Sequence, residues 1–495
     1  MFLQKSKDLI NFGLKIDLTK YKWFFQSVTA IVYSLIVFPN HFLFRTFALD
    51  LGLYTNALYH YRNFELATTQ MIHNQPILAL SDHFDLYLIL FSPLSFIFGN
   101  ITLLVIQIAA VILGGEGAYR LIIKLTGNHK IALVAMLHFY SFFGVITALG
   151  FDYHSNVISM MLVPWLILAL ENNRIKSFVI LLVAVWIGKE NISIIVGFFL
   201  LSYVFYLKNS AAKKALLFGV GASFIYFFCI TFYVMPVISG MEKYGHFEYV
   251  LGASPLEMIL EILRHPINAI QLTFGEHLEG VEIVKIKLEL MGLLFLSGIL
   301  FLFKRPFLII GLVPIVLMKF LHENAFMVGA GAQYSIEFLP LLLVGVFPVV
   351  AEFGKKTINV LISVILLGSV VSIKRIMEEP LAPLFRTNIK VFEKEHYENK
   401  AFAVNELNEI LDLIPSSGSV SAQSAIVPHL AMRDSIFLFP TERGANYILL
   451  NVNDNTYPLN GDQLRSHIED LKLNEEWKLI SSGQNGIFLF EKSKH

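Results

Sequence analysis

Long apolar runs separated by short polar turns dominate the chain. That pattern predicts membrane-crossing helices rather than the half-apolar elements of a soluble core. A crossing helix needs about 20 apolar residues, and fewer where polar ends reach the interface. On that criterion the spans are 22–44, 101–119, 131–149, 156–171, 177–190, 191–207, 215–237, 286–303, 306–321, 337–353 and 357–374. This gives about eleven crossings, of which 177–190 is the shortest. The run 84–99 is also apolar, but it is short and interrupted by Pro93. It reads as a helix lying in the interface.

Two connections are long, 45–100 and 238–285. In the second, Ser254, Pro255 and Glu257 mark a helix start: a serine N-cap, proline at N1 and a glutamate at N3 that reaches back. Its apolar residues suggest a helix along the membrane surface. From about residue 375 the pattern changes to short β-rich runs, GSVSAQ, SIFLFP, NYILLNVN, WKLISS and GIFLFEK. Helical stretches at 399–413, 424–432 and 461–473 alternate with them. The expected architecture is an all-α polytopic membrane domain over 1–374, followed by a small α/β domain over 375–495.

Charge adds an orientation. One set of turns is basic: Arg120/Lys124/Lys130, Arg174/Lys176, Lys208/Lys213/Lys214, Lys304/Arg305 and Lys355/Lys356. The other set holds Asp50, Asp82/His83/Asp85, Asp152/His154, Lys189/Glu190, Glu276/His277 and His322/Glu323. Threading the spans in order makes the two kinds alternate, provided 84–99 does not cross. The positive-inside rule then places the basic turns and the N-terminus in the cytoplasm. The polar-acidic turns and the C-terminal domain face outward, across the cytoplasmic (inner) membrane. The basic start, running into a long apolar stretch, reads as an uncleaved first span.

Composition narrows the classes. A hydrophobic content of 55%, 15% charged residues and a mean hydropathy of +0.63 argue against a soluble protein. A formal net charge of zero argues against a nucleic-acid partner. The lone cysteine, Cys229, excludes an internal disulfide and a cysteine-based metal site.

Asp50, just beyond the first span, can serve as a general base or hold a cation, or it can simply cap a helix over 51–62. SDHFD brings Asp82, His83 and Asp85 together as possible ligands of a divalent ion, or as another cap. FDYHSN repeats an acid and an imidazole, Asp152 and His154, in a short turn. Lys189 and Glu190 sit at the membrane boundary, where ionisable groups are costly and usually paired. A salt bridge pinning two helices is the structural alternative. Glu116 lies among Gly114, Gly115 and Gly117, a setting for close helix packing and a buried pairing with a nearby cation. His322, Glu323, Gln333 and Tyr334 complete the polar set, the last two suited to sugar hydroxyls.

The strings ALDLGLYTNALYH, DHFDLYLILFSPLSFIFG, GFDYHSN and GKEN resemble a family of predicted prokaryotic membrane proteins, domain-of-unknown-function family 2079. GASPLEMIL, QYSIEFLP and VSAQSAIVPHLAMRDSIFLFP fit the same family, so the resemblance runs from about 45 to 450. That family is similar to the GT-C superfamily of membrane glycosyltransferases. The resemblance implies a polyprenyl-phosphate or polyprenyl-diphosphate sugar donor and an acidic residue in the first external loop, where Asp50 stands. This chain departs from the tandem acidic pair of many members, since Leu51 follows Asp50.

The expected mechanism makes Asp50 the base, or at least the residue that positions the acceptor, with Glu190 orienting Lys189. Lys189 with His83 or His154 neutralises the phosphate, directly or through a Mg or Mn ion on Asp82, Asp85 and Asp152. Gln333 and Tyr334 contact substrate. A transporter or flippase, or a non-catalytic scaffold, are the competing classes.

Overall fold

Apolar helices run back and forth between two polar ends, and the turns at each end are of one kind. A computed structural model describes residues 18–72, 76–240, 247–378, 381, 388–483 and 486–493. The basic stretch before residue 18 lies outside the described residues. The helices are α1 (Leu18–Phe42), α2 (Leu53–Arg62), α3 (Thr102–Thr126), α4 (His129–Ser141), α5 (Phe143–Gly150), α6 (Ser155–Glu171), α7 (Ile175–Trp186), α8 (Ile192–Tyr203) and α9 (Ser210–Cys229). They continue as α10 (Pro255–Arg264), α11 (Pro266–Phe274), α12 (Ile283–Leu296), α13 (Ile309–Phe320), α14 (Phe338–Val350) and α15 (Lys355–Met377). Among the described residues five stretches are long and apolar enough to cross a membrane alone: Tyr21–Phe42, Tyr87–Thr126, His129–Gly150, Ser210–Ser239 and Lys355–Met377. Helices of 12 residues, such as α7 and α8, extend only about 18 Å.

Side-chain contacts fix which turns share an end. Lys22 near the start of α1 bonds Glu116, in the second half of α3, at 2.9 Å, and Arg120, one turn further on, bonds the same carboxylate at 2.6 Å. The buried pairing expected of Glu116 is present. Tyr203, closing α8, donates to Glu171, closing α6, at 2.7 Å. Lys130 reaches Asn359 of α15. These basic-turn contacts form one end, and the polar-acidic turns gather at the other.

Packing follows from side-chain size. A Cβ at Gly114 would stand 2.8 Å from Met161 Sδ, and one at Gly117 would stand 2.6 Å from Trp165 Nε1. The glycines therefore let α3 and α6 approach closely. Every residue of α14 is buried, as its all-round apolar sequence requires. By contrast α9 and α15 expose Phe218, Ile225, Val360 and Leu367, the kind of surface a bilayer covers.

The first long loop contains a π-turn at Ala48–Gly52, then α2, then a two-stranded ribbon of β1 (Thr68–Thr69) and β2 (Ile77–Leu78). The run expected at the interface forms short helices, Tyr87–Phe91 and Ser95–Phe98, on either side of a 3-10 turn at Pro93. It exposes Ile89, Leu90, Phe96 and Ile97 and leads directly into α3. In α10 the Ser254 hydroxyl accepts the Glu257 N–H at 3.2 Å. Glu257 reaches back one residue further than expected, to the Ala253 N–H.

The C-terminal part holds α16 (Val404–Leu411), α17 (Val427–Leu430) and α18 (Gly461–Leu473). Its strands are β3 (Val420–Ala422), β4 (Ile436–Leu438), β5 (Tyr447–Asn451), β6 (Trp477–Ser482) and β7 (Ile487–Lys492). The sheet order is β4-β3-β5-β7-β6. β3 is parallel to β4 and β5, while β5–β7 and β6–β7 are antiparallel. The mostly helical bundle and the small mixed sheet match the expected fold class.

Candidate functional site

Asp50 sits inside the π-turn, and its Oδ1 lies 3.2 Å from His154 Nε2. It does not cap α2: the N-cap is Gly52, which makes no side-chain bond. Its side chain is 29% exposed against 5% for His154, so the acid is reachable and the imidazole is not. Burial lowers the His154 pKa against the opposing pull of Asp50, so the ring is neutral near pH 7. With Asp50 ionised, Nε2–H is the donor.

The turn behind this pair is tightly held. Gln107 donates to the Asp152 carbonyl and accepts the His154 N–H, both at 2.8 Å. Asp152 Oδ2 accepts the Phe47 N–H at 2.8 Å, which joins the turn to the chain entering the π-turn. Burial first, and the charge of Asp50 second, raise the Asp152 carboxyl well above its usual range.

His83 and Glu190 form a second pair, Nδ1 to Oε1 at 3.0 Å, and Glu190 Oε2 also accepts the Phe84 N–H at 3.1 Å. Glu190 is thus bound to the first loop. Among the described residues the Lys189 ammonium makes no hydrogen bond or ion pair, though its charge reaches Asp85, His154 and Glu337.

Asp85 is 1% exposed, accepting the Tyr87 N–H at 3.0 Å and the Tyr153 hydroxyl at 3.2 Å. Burial pushes its carboxyl up to about 8. Asp82, Asp85 and Asp152 were expected to hold a metal, but they do not form a ligand set. Among the described residues no group of three or more His, Cys, Asp or Glu is arranged to hold an ion. Asp85 and Asp152 are each committed to hydrogen bonds in separate turns.

The acids nevertheless converge. Burial raises the Tyr54 phenol well above its usual range, and the charges of Asp82, Asp50, Asp85 and Glu190 act in the same direction. Beside them lies a cavity of about 210 Å³. His83, Lys189, Glu248, Lys319, His322, Tyr334 and Glu337 supply most of its ionisable lining. Burial, then the charge of Asp50, raises the Tyr334 phenol. Gln333, 2% exposed, is buried behind Tyr334 rather than lining the cavity.

Two lining residues, Lys319 and Glu337, were not singled out from the sequence. Lys319 Nζ donates to the carbonyls of Met327 and Gly329 at 3.1 and 2.7 Å. Glu337 accepts from Asn156 at 2.7 Å, and the two charges attract each other. A lysine in LVPIVLMKF and a glutamate opening EFLP are the signals that could have found them.

The family model described as "Predicted membrane protein (DUF2079)" matches residues 40–489. The chain belongs to this family. It is a multi-pass membrane protein. No curated protein matches it. Two solved structures of the Archaeoglobus fulgidus oligosaccharyltransferase are similar at 9% and 11% identity. One is the apo form, and the other is tethered by a disulfide to an acceptor peptide containing the NVT sequon. The matches cover 89% and 87% of this chain and 70% and 69% of those chains, each with a TM-score of 0.43.

Proposed function

We propose that this protein is an integral membrane glycosyltransferase that moves a sugar from a polyprenyl-phosphate-linked donor to an acceptor on the external face. One observation carries the reading. A reachable carboxylate, Asp50, held by a buried neutral imidazole, stands at the polar end of an apolar bundle beside a cavity lined by Lys189, whose ammonium makes no hydrogen bond or ion pair among the described residues. A lipid-linked donor needs that arrangement: bilayer for its tail, and a polar interface for phosphate and sugar. The sequence resemblance to GT-C enzymes supports the same class.

In the proposed step Asp50 takes the proton of an acceptor hydroxyl as its oxygen bonds the sugar's anomeric carbon. The bond from that carbon to the phosphate oxygen breaks, and the phosphate leaves with the electron pair. Lys189 neutralises the departing phosphate. His154 keeps the Asp50 carboxylate aimed. Glu190 holds His83 and the first loop in place. Among the described residues no group of three or more His, Cys, Asp or Glu is arranged to hold an ion, and the step is written without one.

A transport reading has one observation of its own: Lys319 and Glu337, at the ends of two apolar helices, line the same cavity. Labelled polyprenyl-phosphate and -diphosphate sugars, offered to purified protein in lipid, separate the two. Sugar release or transfer supports the enzyme, whereas donor movement across the bilayer without bond cleavage supports the transporter.

A further inference from the structure

Parallel strands of α/β sheets ordinarily leave ligand space beyond their carboxyl ends. Beyond β3 that position is filled by the first loop. The chain leaving β3 turns over Gln423, whose carbonyl accepts the Ile426 and Val427 N–H groups at 2.9 and 3.1 Å. Gln423 is itself tied to the end of the central strand β5 and the loop beyond it, accepting the Asn451 N–H and donating to the Asn455 carbonyl at 3.1 Å. From this rigid turn the Ser424 hydroxyl, on a residue 3% exposed, accepts the Ala48 N–H at 3.2 Å. Gly52 lies so close that a Cβ there would meet Val427 Cγ1 at 2.8 Å. These two contacts grip the first and last residues of the π-turn that carries Asp50.

Neighbouring contacts extend the grip. His429 stacks on His41 at 4.3 Å and lies tilted against Phe44 at 4.1 Å. Asn56 of α2 donates to the carbonyls of Ala431 and Arg433 at 2.9 and 2.8 Å. On the bundle side, Asp152 holds Phe47. The Asp50 turn is therefore clamped between the helical bundle and the C-terminal sheet. A π-turn closes a wider ring than an α-helix, so it gains most from being fixed at both ends.

We propose that Ser424 and Val427 are positioning residues: the C-terminal domain uses the carboxyl end of β3 to hold the Asp50 turn in register with His154. The proposal rests on Asp50 being the reacting acid, and its test separates the two. Full-length Ser424→Ala, Ser424→Thr and Val427→Ala proteins in lipid are compared with wild type by amide hydrogen exchange across 46–53. Turnover of labelled polyprenyl-phosphate sugars is measured in parallel. Loss of one hydrogen bond speeds exchange there by about five- to tenfold. Ser424→Ala should show that speeding, and Val427→Ala, which loses packing against Gly52, should speed exchange in the same segment, with protection elsewhere unchanged. Their kcat should fall at constant KM for the donor, and Ser424→Thr should restore both. Unchanged exchange at 46–53, or faster exchange with unchanged kcat, overturns the proposal while an inactive Asp50→Asn leaves the role of Asp50 intact. Full activity in Asp50→Asn removes the parent reading and the positioning role together, and exchange then reports only a structural clamp.

Discussion

Asp50 and His154, 104 residues apart in the chain, meet at 3.2 Å through Oδ1 and Nε2. The contact joins the first loop to the turn between α5 and α6, and it gives a base candidate a fixed direction. Removing the imidazole leaves the acid in place but unaimed. His154→Ala should therefore lower kcat about tenfold or more, within the range by which general acid–base groups act. His154→Gln, which keeps a donor, should recover part of that loss. Steady-state transfer kinetics on both variants check this, and equal rates in all three proteins would count against a role for the pair.

Lys189 and Glu190 are neighbours with separate jobs. Glu190 Oε1 and Oε2 bind His83 and the Phe84 N–H in a buried setting. Glu190→Ala should cost about 1–3 kcal/mol by leaving buried groups unsatisfied. Lys189→Ala should leave thermal stability nearly unchanged while turnover drops about a hundredfold, as for loss of a charge that stabilises a leaving group. Thermal unfolding measured beside kinetics distinguishes the two residues. A Lys189→Ala protein that unfolds early and retains its turnover would reverse the assignment.

Asp85 predicts a pH effect with a definite sign. Its carboxyl is about 8 in the folded protein, through burial, against about 3.9 unfolded. Between those values the folded state keeps a proton that the unfolded state has lost, so stability falls as pH rises from about 4 to about 8 and levels above that. Asp85→Asn removes the titration. Melting temperature recorded from pH 5 to 9 should decline more steeply in wild type than in the variant; parallel curves would refute the buried neutral acid.

Orientation is checked by labelling. In a Cys229→Ser background, a cysteine at Phe64, 99% exposed in the first loop, should react with an impermeant reagent added to intact cells. One at Lys208, among the basic turns, should react only after lysis. The reverse pattern would invert the proposed topology.

Much of the bundle was legible because a bilayer imposes a length on each apolar run, and basic and acidic turns then sort by end. The strands of the C-terminal part were legible from β-rich alternation and its helices from the runs between them, whereas the Asn460–Gln463 capping box that opens α18 emerges only from the structure. The site was legible as a set of turns but not as pairs. Lys189 and Glu190 look like partners in sequence, yet adjacent residues in a turn need not face each other, and Glu190 finds His83 107 positions away. The spacing of SDHFD suggested ligands, whereas Asp85 turns to its own chain at the Tyr87 N–H. Nothing local to ALDLG shows that Ser424 and Val427 grip it, because that contact spans more than 370 positions.

The most direct test is donor turnover by purified wild-type and Asp50→Asn protein in lipid. It uses labelled polyprenyl-phosphate and -diphosphate sugars, with and without divalent cation. The account predicts release or transfer of sugar by wild type and its loss, by about a hundredfold or more, in a variant that still folds. Full turnover in Asp50→Asn, or none by folded wild type across the donor panel, would contradict it.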